Sequence, residues 1–83
     1  EREASVFPNP ARDAFTLAFS KAPESGGTAI LRNQMGQALE QRQLQPGEAA
    51  TEWDVSSLPA GLYFLEVRQE GWPPQVLRVV KSH

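Results

Sequence analysis

The sequence predicts an all-β fold, an immunoglobulin-like antiparallel β-sandwich of about seven short strands. Three observations carry that expectation. Turn-forming residues recur every ~8–14 positions, the spacing of short strands that fold back on one another. Ala14–Phe19 alternates strictly, with Phe15, Leu17 and Phe19 on one face and Ala14, Thr16 and Ala18 on the other, as a half-buried strand requires. No segment of useful length carries the apolar period of a helix.

The strands can be justified in order. Residues 3–7 (EASVF) form the first and stop at the prolines of PNP, which cannot join a ladder. Residues 14–19 (AFTLAF) form the second. Residues 28–33 (TAILRN) form the third, with Ala29 and Leu31 inward. NQMG follows, and its Gly36 suits the left-handed position that closes a short hairpin. Residues 37–44 (QALEQRQL) are polar enough to read as an edge strand. QPGE places Pro46 and Gly47 at the second and third positions of a type II turn. Residues 48–54 (EAATEWD) are the fifth strand, with Ala49, Thr51 and Trp53 sharing a face.

DVSSLPAGLYFLEV, residues 54–67, sets a rigid corner directly before the most strand-like run in the chain. Asp54, Ser56 and Ser57 can bond nearby backbone amides in a tight turn. Pro59 presets φ at the second position of a type I turn, and Gly61 fits the position after it. The sixth strand, residues 62–69, leaves with Tyr63, Leu65 and Val67 on one face. Leu62 and Phe64 make its other face apolar, so it reads as a central strand. EGWPP ends it, and residues 75–81 (QVLRVVK) complete the sandwich. The expected core is Phe15, Leu17, Phe19, Leu31, Trp53, Tyr63, Leu65, Val67, Leu77 and Val79.

Composition narrows the function classes. A chain of 83 residues with 40% hydrophobic and 22% charged residues folds as one domain rather than remaining disordered. Net charge is −2, and Lys and Arg are dispersed singly, so no basic stripe marks a nucleic-acid partner. The apolar run around Leu62–Leu65 is far below the ~20 residues of a transmembrane helix. No segment has the pattern of a secretory signal. With no cysteine, disulfides, thiolate chemistry and cysteine metal sites are excluded.

Catalysis gains little support. The one histidine is His83, at the terminus. Glu52 with Asp54, and Glu66 with Glu70, are carboxylate pairs that a solvated outer face explains without chemistry. Gly26-Gly27 is a turn rather than a phosphate loop, and no cofactor or metal is expected. Trp53 and Tyr63 belong to inward faces. Trp72, in GWPP, is the candidate contact residue of a carbohydrate- or protein-binding accessory module, the alternative reading.

VFPNPARD, RNQMGQAL, DVSSLPAGLYFLEV and a last strand ending in VVK occur in that order. Together, from about Ser5 to Lys81, they resemble the type A C-terminal sorting domain of the type IX secretion system, carried by exported proteins of Bacteroidetes. The family's aromatic-Pro-Asn-Pro motif falls on Phe7, Pro8, Asn9 and Pro10, with Phe where Tyr is common. Its central glycine falls on Gly36. Its Leu-Pro-x-Gly-x-Tyr motif falls on Leu58, Pro59, Gly61 and Tyr63, and its basic end on Lys81, although charge after Val80 is thin.

The resemblance implies a non-enzymatic address. A cargo passes through the periplasm and crosses the outer membrane because the type IX translocon recognises this tail. A sortase-like cysteine protease then removes it at the cell surface. On this reading residues 1–83 are the sorting domain. Residues 1–4 are the end of a linker from a larger cargo, as the start at Glu1 rather than Met also indicates.

Overall fold

The computed structural model describes residues 4–82. Glu1, Arg2, Glu3 and His83, and with them the reading of the terminal histidine and most of the linker reading, lie outside the described residues. Ala4, expected as the last linker residue, already pairs with Phe19 in a strand. Seven strands follow one another: β1 (Ala4–Phe7), β2 (Ala14–Phe19), β3 (Gly27–Arg32), β4 (Ala38–Leu44), β5 (Ala50–Asp54), β6 (Gly61–Gln69) and β7 (Gln75–Lys81). They form two antiparallel sheets, one of order β1-β2-β5 and one of order β4-β3-β6-β7. Among the described residues no helix is long and apolar enough to cross a membrane.

The expected strands are all present, with ends moved by local turn chemistry. The third stops at Arg32 because Asn33 is drawn into the turn. Its Oδ1 accepts from the amides of Met35 (2.9 Å) and Gln37 (3.0 Å), and its carbonyl accepts from Gly36 N (3.0 Å). The fifth starts at Ala50 because Glu48 N donates to Gln45 O (3.0 Å) and closes the turn around Pro46-Gly47. β4 is an edge and β6 is central, as its two apolar faces require.

Alternation decides the core. Phe15, Leu17 and Phe19 of β2 face Tyr63, Leu65 and Val67 of β6 across the gap between the sheets, and all six are buried. Phe15 and Trp53 are cross-strand partners whose rings stack at 5.9 Å with planes 7° apart, an aromatic pair that adds to simple burial. Arg42 of edge strand β4 closes the side of the sandwich. Its guanidinium carbon lies 4.5 Å from the centroid of the Trp53 ring, and its Nη1 donates to Glu52 O of β5. On the outer face of the four-stranded sheet, Glu66 accepts from Arg32 Nε (3.1 Å) and pairs with Arg68 Nη2 (2.9 Å).

The buried set differs from the expected core at several positions, Leu77, Ala11 and Val55 among them. Leu77 is only partly buried, because β7 is an edge strand and its inward residues near Gln75 lie at the rim. Ala11 and Val55 are buried although they lie in connections. Val55 N donates to Asp13 O (2.8 Å), so the connections themselves pack over the end of the sandwich.

Gly61 has φ +154°, and a Cβ there would meet nothing within 4 Å. Substitution would therefore strain the backbone without a steric clash. Gly61→Val is expected to lower stability by about 1–3 kcal/mol, measured as the shift of the urea midpoint at constant slope. An unmoved midpoint would show that β6 can begin in an ordinary strand conformation.

Candidate recognition site

Alternating strand direction sends the connections β1–β2, β3–β4 and β5–β6, and the end of β7, to one end of the sandwich. The connections β2–β3, β4–β5 and β6–β7 go to the other. The motif positions read in the sequence therefore converge, although they are spread from Phe7 to Lys81. Trp72, half-exposed in the β6–β7 turn, stands at the opposite end.

The Phe7–Pro10 segment carries the chain from the first sheet to the edge of the second. Phe7 is 51% exposed, and both its bond to Pro8 and the Asn9–Pro10 bond are cis. Neither proline has an N–H to donate, so Asn9 makes the contacts with its side chain. Its Nδ2 donates to Arg78 O (2.8 Å) and its Oδ1 accepts from Val80 N (2.9 Å). Main-chain pairing resumes at Ala11, whose N donates to Val80 O (2.7 Å) and whose O accepts from Ser82 N (2.8 Å).

The β5–β6 corner is built from its own sequence. Asp54 Oδ1 accepts from Ser56 N (2.9 Å) and Ser56 Oγ (2.7 Å), an Asx turn. These bonds, the backbone one foremost and assisted by the charge of Arg42, hold the Asp54 carboxyl below its ordinary pKa. Leu58 N donates to Val55 O (3.0 Å), and the Leu58 side chain packs on the core. Tyr63 is buried, and its hydroxyl donates to Pro59 O (2.6 Å). A tyrosine near the start of the sixth strand, tied to the preceding corner, is the tyrosine corner of immunoglobulin-like sandwiches.

Gly36 has φ +87°, and its carbonyl accepts from Arg32 Nη1 (3.0 Å). Lys81 pairs in register with Gly61. It is 8% exposed, and its Nζ donates to Ser82 O (2.9 Å). The basic position thus belongs to the packed end of the sandwich rather than to a free tail.

Between the β3–β4 turn and the corner lies a shallow, mostly apolar depression of about 220 Å³, lined by residues 33–35 and 60–63. Met35 stands at its lip, 86% exposed. Arg78 and Val80 turn their main-chain groups toward Asn9 and Ala11, so Val79 and Lys81 turn theirs toward Tyr63 and Gly61. Leu62 must then direct its N–H and C=O to the β3 side, where the ladder has already ended at the pair Arg32 and Phe64. The depression thus offers a main-chain donor and acceptor beside apolar walls.

Nothing in the described part resembles a reaction centre. Asp54 is engaged by Ser56, and Glu66 is held by Arg68 and Arg32, which keep its carboxyl below the ordinary range. No cluster of three metal-ligating side chains occurs among the described residues. Sequence reasoning missed the bonds from Asn9 to β7. The available signal was an asparagine, with both a donor and an acceptor, between two residues that lack a main-chain donor.

Comparison with known proteins adds two findings. A family model described as the secretion system C-terminal sorting domain matches residues 5–81. The fold is similar to part of the crystal structure of dimeric latent PorU from Porphyromonas gingivalis, with a TM-score of 0.69 at 17% sequence identity. That match covers 96% of this chain and 9% of that chain, and identity at this level shows a shared fold. No curated protein matches.

The Asp54 carboxyl titrates below its ordinary value of 3.8 in the folded chain. Its contribution to stability is therefore complete above that value and is lost as pH falls through the lower folded pKa. Asp54→Asn keeps an acceptor for Ser56 and removes the titration. The acid side of the stability–pH curve, followed by thermal melting below about pH 4, should become shallower in the variant, with wild type the more stable at neutral pH and the two curves converging in acid.

Proposed function

The chain belongs to the family of type IX secretion-system C-terminal sorting domains, and we propose that the motif end of its sandwich is the face by which the translocon reads it. As a family member it is a sorting signal for export across the outer membrane to the cell surface or medium. The finer steps are our reading. Residues 1–83 act as one domain behind a larger cargo and pass through the periplasm, and a sortase-like cysteine protease removes the domain after translocation. The domain does no chemistry of its own.

One observation carries the location of the face: Phe7–Pro10, Gly36, Leu58–Tyr63 and Lys81 meet at the same end of the fold. Recognition of a folded tail needs a rigid, repeatable surface rather than a reactive group. That end has one, with exposed Phe7 and Met35, the depression beside Leu62, and corners stiffened by Pro8, Pro10 and Pro59. Trp72 at the other end supports the accessory-module reading only through its exposure, and the same experiment separates the two.

The 83 residues are fused behind a periplasm-targeted fluorescent protein in a host with an active type IX system and in its translocon mutant. Fluorescence should reach the surface or medium only in the first strain. Deletion of Val76–His83 should abolish export, and Trp72→Ala should leave it within about twofold of wild type. Retention of the wild-type fusion in both strains, or export that survives the deletion, would contradict the reading.

A further inference from the structure

The bonds between Asn9 and β7 join positions about as far apart as this chain allows. Asn9 lies 69 residues from Arg78 and 71 from Val80. Together with the two Ala11 main-chain bonds they seal the outer edge of β7 over residues 78–82. On its other side β7 pairs with β6, and its last residues set the position of Lys81 against Gly61. We propose that Asn9 is a positioning residue of the sorting signal. Its side-chain amide takes the place of a strand residue and pins the C-terminal strand, so that the recognition end is assembled only when both ends of the domain have docked. The translocon would then read a completed fold, and Asn9 would act through β7 rather than by direct contact. This rests on the sorting reading above.

The chemistry sets the requirement. Prolines 8 and 10 cannot donate, and at this edge the Asn9 side chain supplies one donor and one acceptor with strand-like spacing. Asparagine has both, aspartate keeps only the acceptor, and leucine has neither at nearly the same size.

The test compares Asn9→Leu, Asn9→Asp and Val67→Ala with wild type. Val67 is buried near the opposite end of β6, so its truncation lowers global stability without touching the β7 edge. Hydrogen exchange of the 83-residue chain should show the Val80 and Ser82 amides losing protection at least about tenfold in Asn9→Leu. Amides of β3 should lose no more protection than the melting temperature accounts for. In the export assay Asn9→Leu should fall about tenfold or more, Asn9→Asp should fall between it and wild type, and Val67→Ala should pass as long as it remains folded. Unchanged Val80 protection in Asn9→Leu, or export that follows melting temperature alone across all variants, overturns the proposal. Failure of the wild-type fusion to be exported instead overturns the sorting reading, and the exchange result still decides whether Asn9 pins β7.

Discussion

β7 is an edge strand, and the motif end depends on how its outer edge is closed. A free edge presents unpaired main-chain groups that invite other chains. Here β6 holds one side from Gly61 to Val67, and the other side is met by a segment that contains two prolines. Those prolines rule out an ordinary ladder, so closure falls to the Asn9 amide, and Ala11 completes it. The arrangement gives the edge its hydrogen bonds while leaving Phe7 and both prolines exposed. One short segment thereby both seals the strand and presents surface.

The corner before β6 follows the same logic. Pro59 limits the unfolded chain, Gly61 accepts a backbone conformation that side chains resist, and the Tyr63 hydroxyl ties the strand back to Pro59. Each of these is a structural device. Because the β3–β4 turn lies against the corner, the same devices also fix the walls of the depression. On the proposed reading shape and recognition are one requirement: a surface recognised as a folded object is only as reproducible as the corners that build it.

Much of this could be read from the sequence, for a physical reason. Strand alternation and turn chemistry are local, so β2, the polar edge β4, the two-faced β6 and the Gly36 and Gly47 turns were legible from neighbouring residues. Long-range satisfaction was not. Nothing near Asn9 in sequence points to Arg78 and Val80, and Arg42 reveals its contact with Trp53 only once β4 and β5 are known to line the same side. Lys81 is instructive because the alternation of Leu77, Val79 and Lys81 already placed it inward. Its charge argued against burial, and the register of β7 with β6 decided for the interior.

The match to the sorting-domain family places the chain in type IX export, and the likeness to a part of PorU shows a shared fold. The central physical claim concerns where on the domain that export is decided. The most direct measurement is a hydrogen-exchange footprint of the domain bound to the isolated outer-membrane translocon, compared with the free domain. The account predicts new protection at Asn33–Gly36 and Ala60–Leu62, with the amides of Gly71 and Trp72 unchanged. Protection confined to the β6–β7 turn around Trp72 would contradict it and would mean that the translocon reads the opposite end of the sandwich.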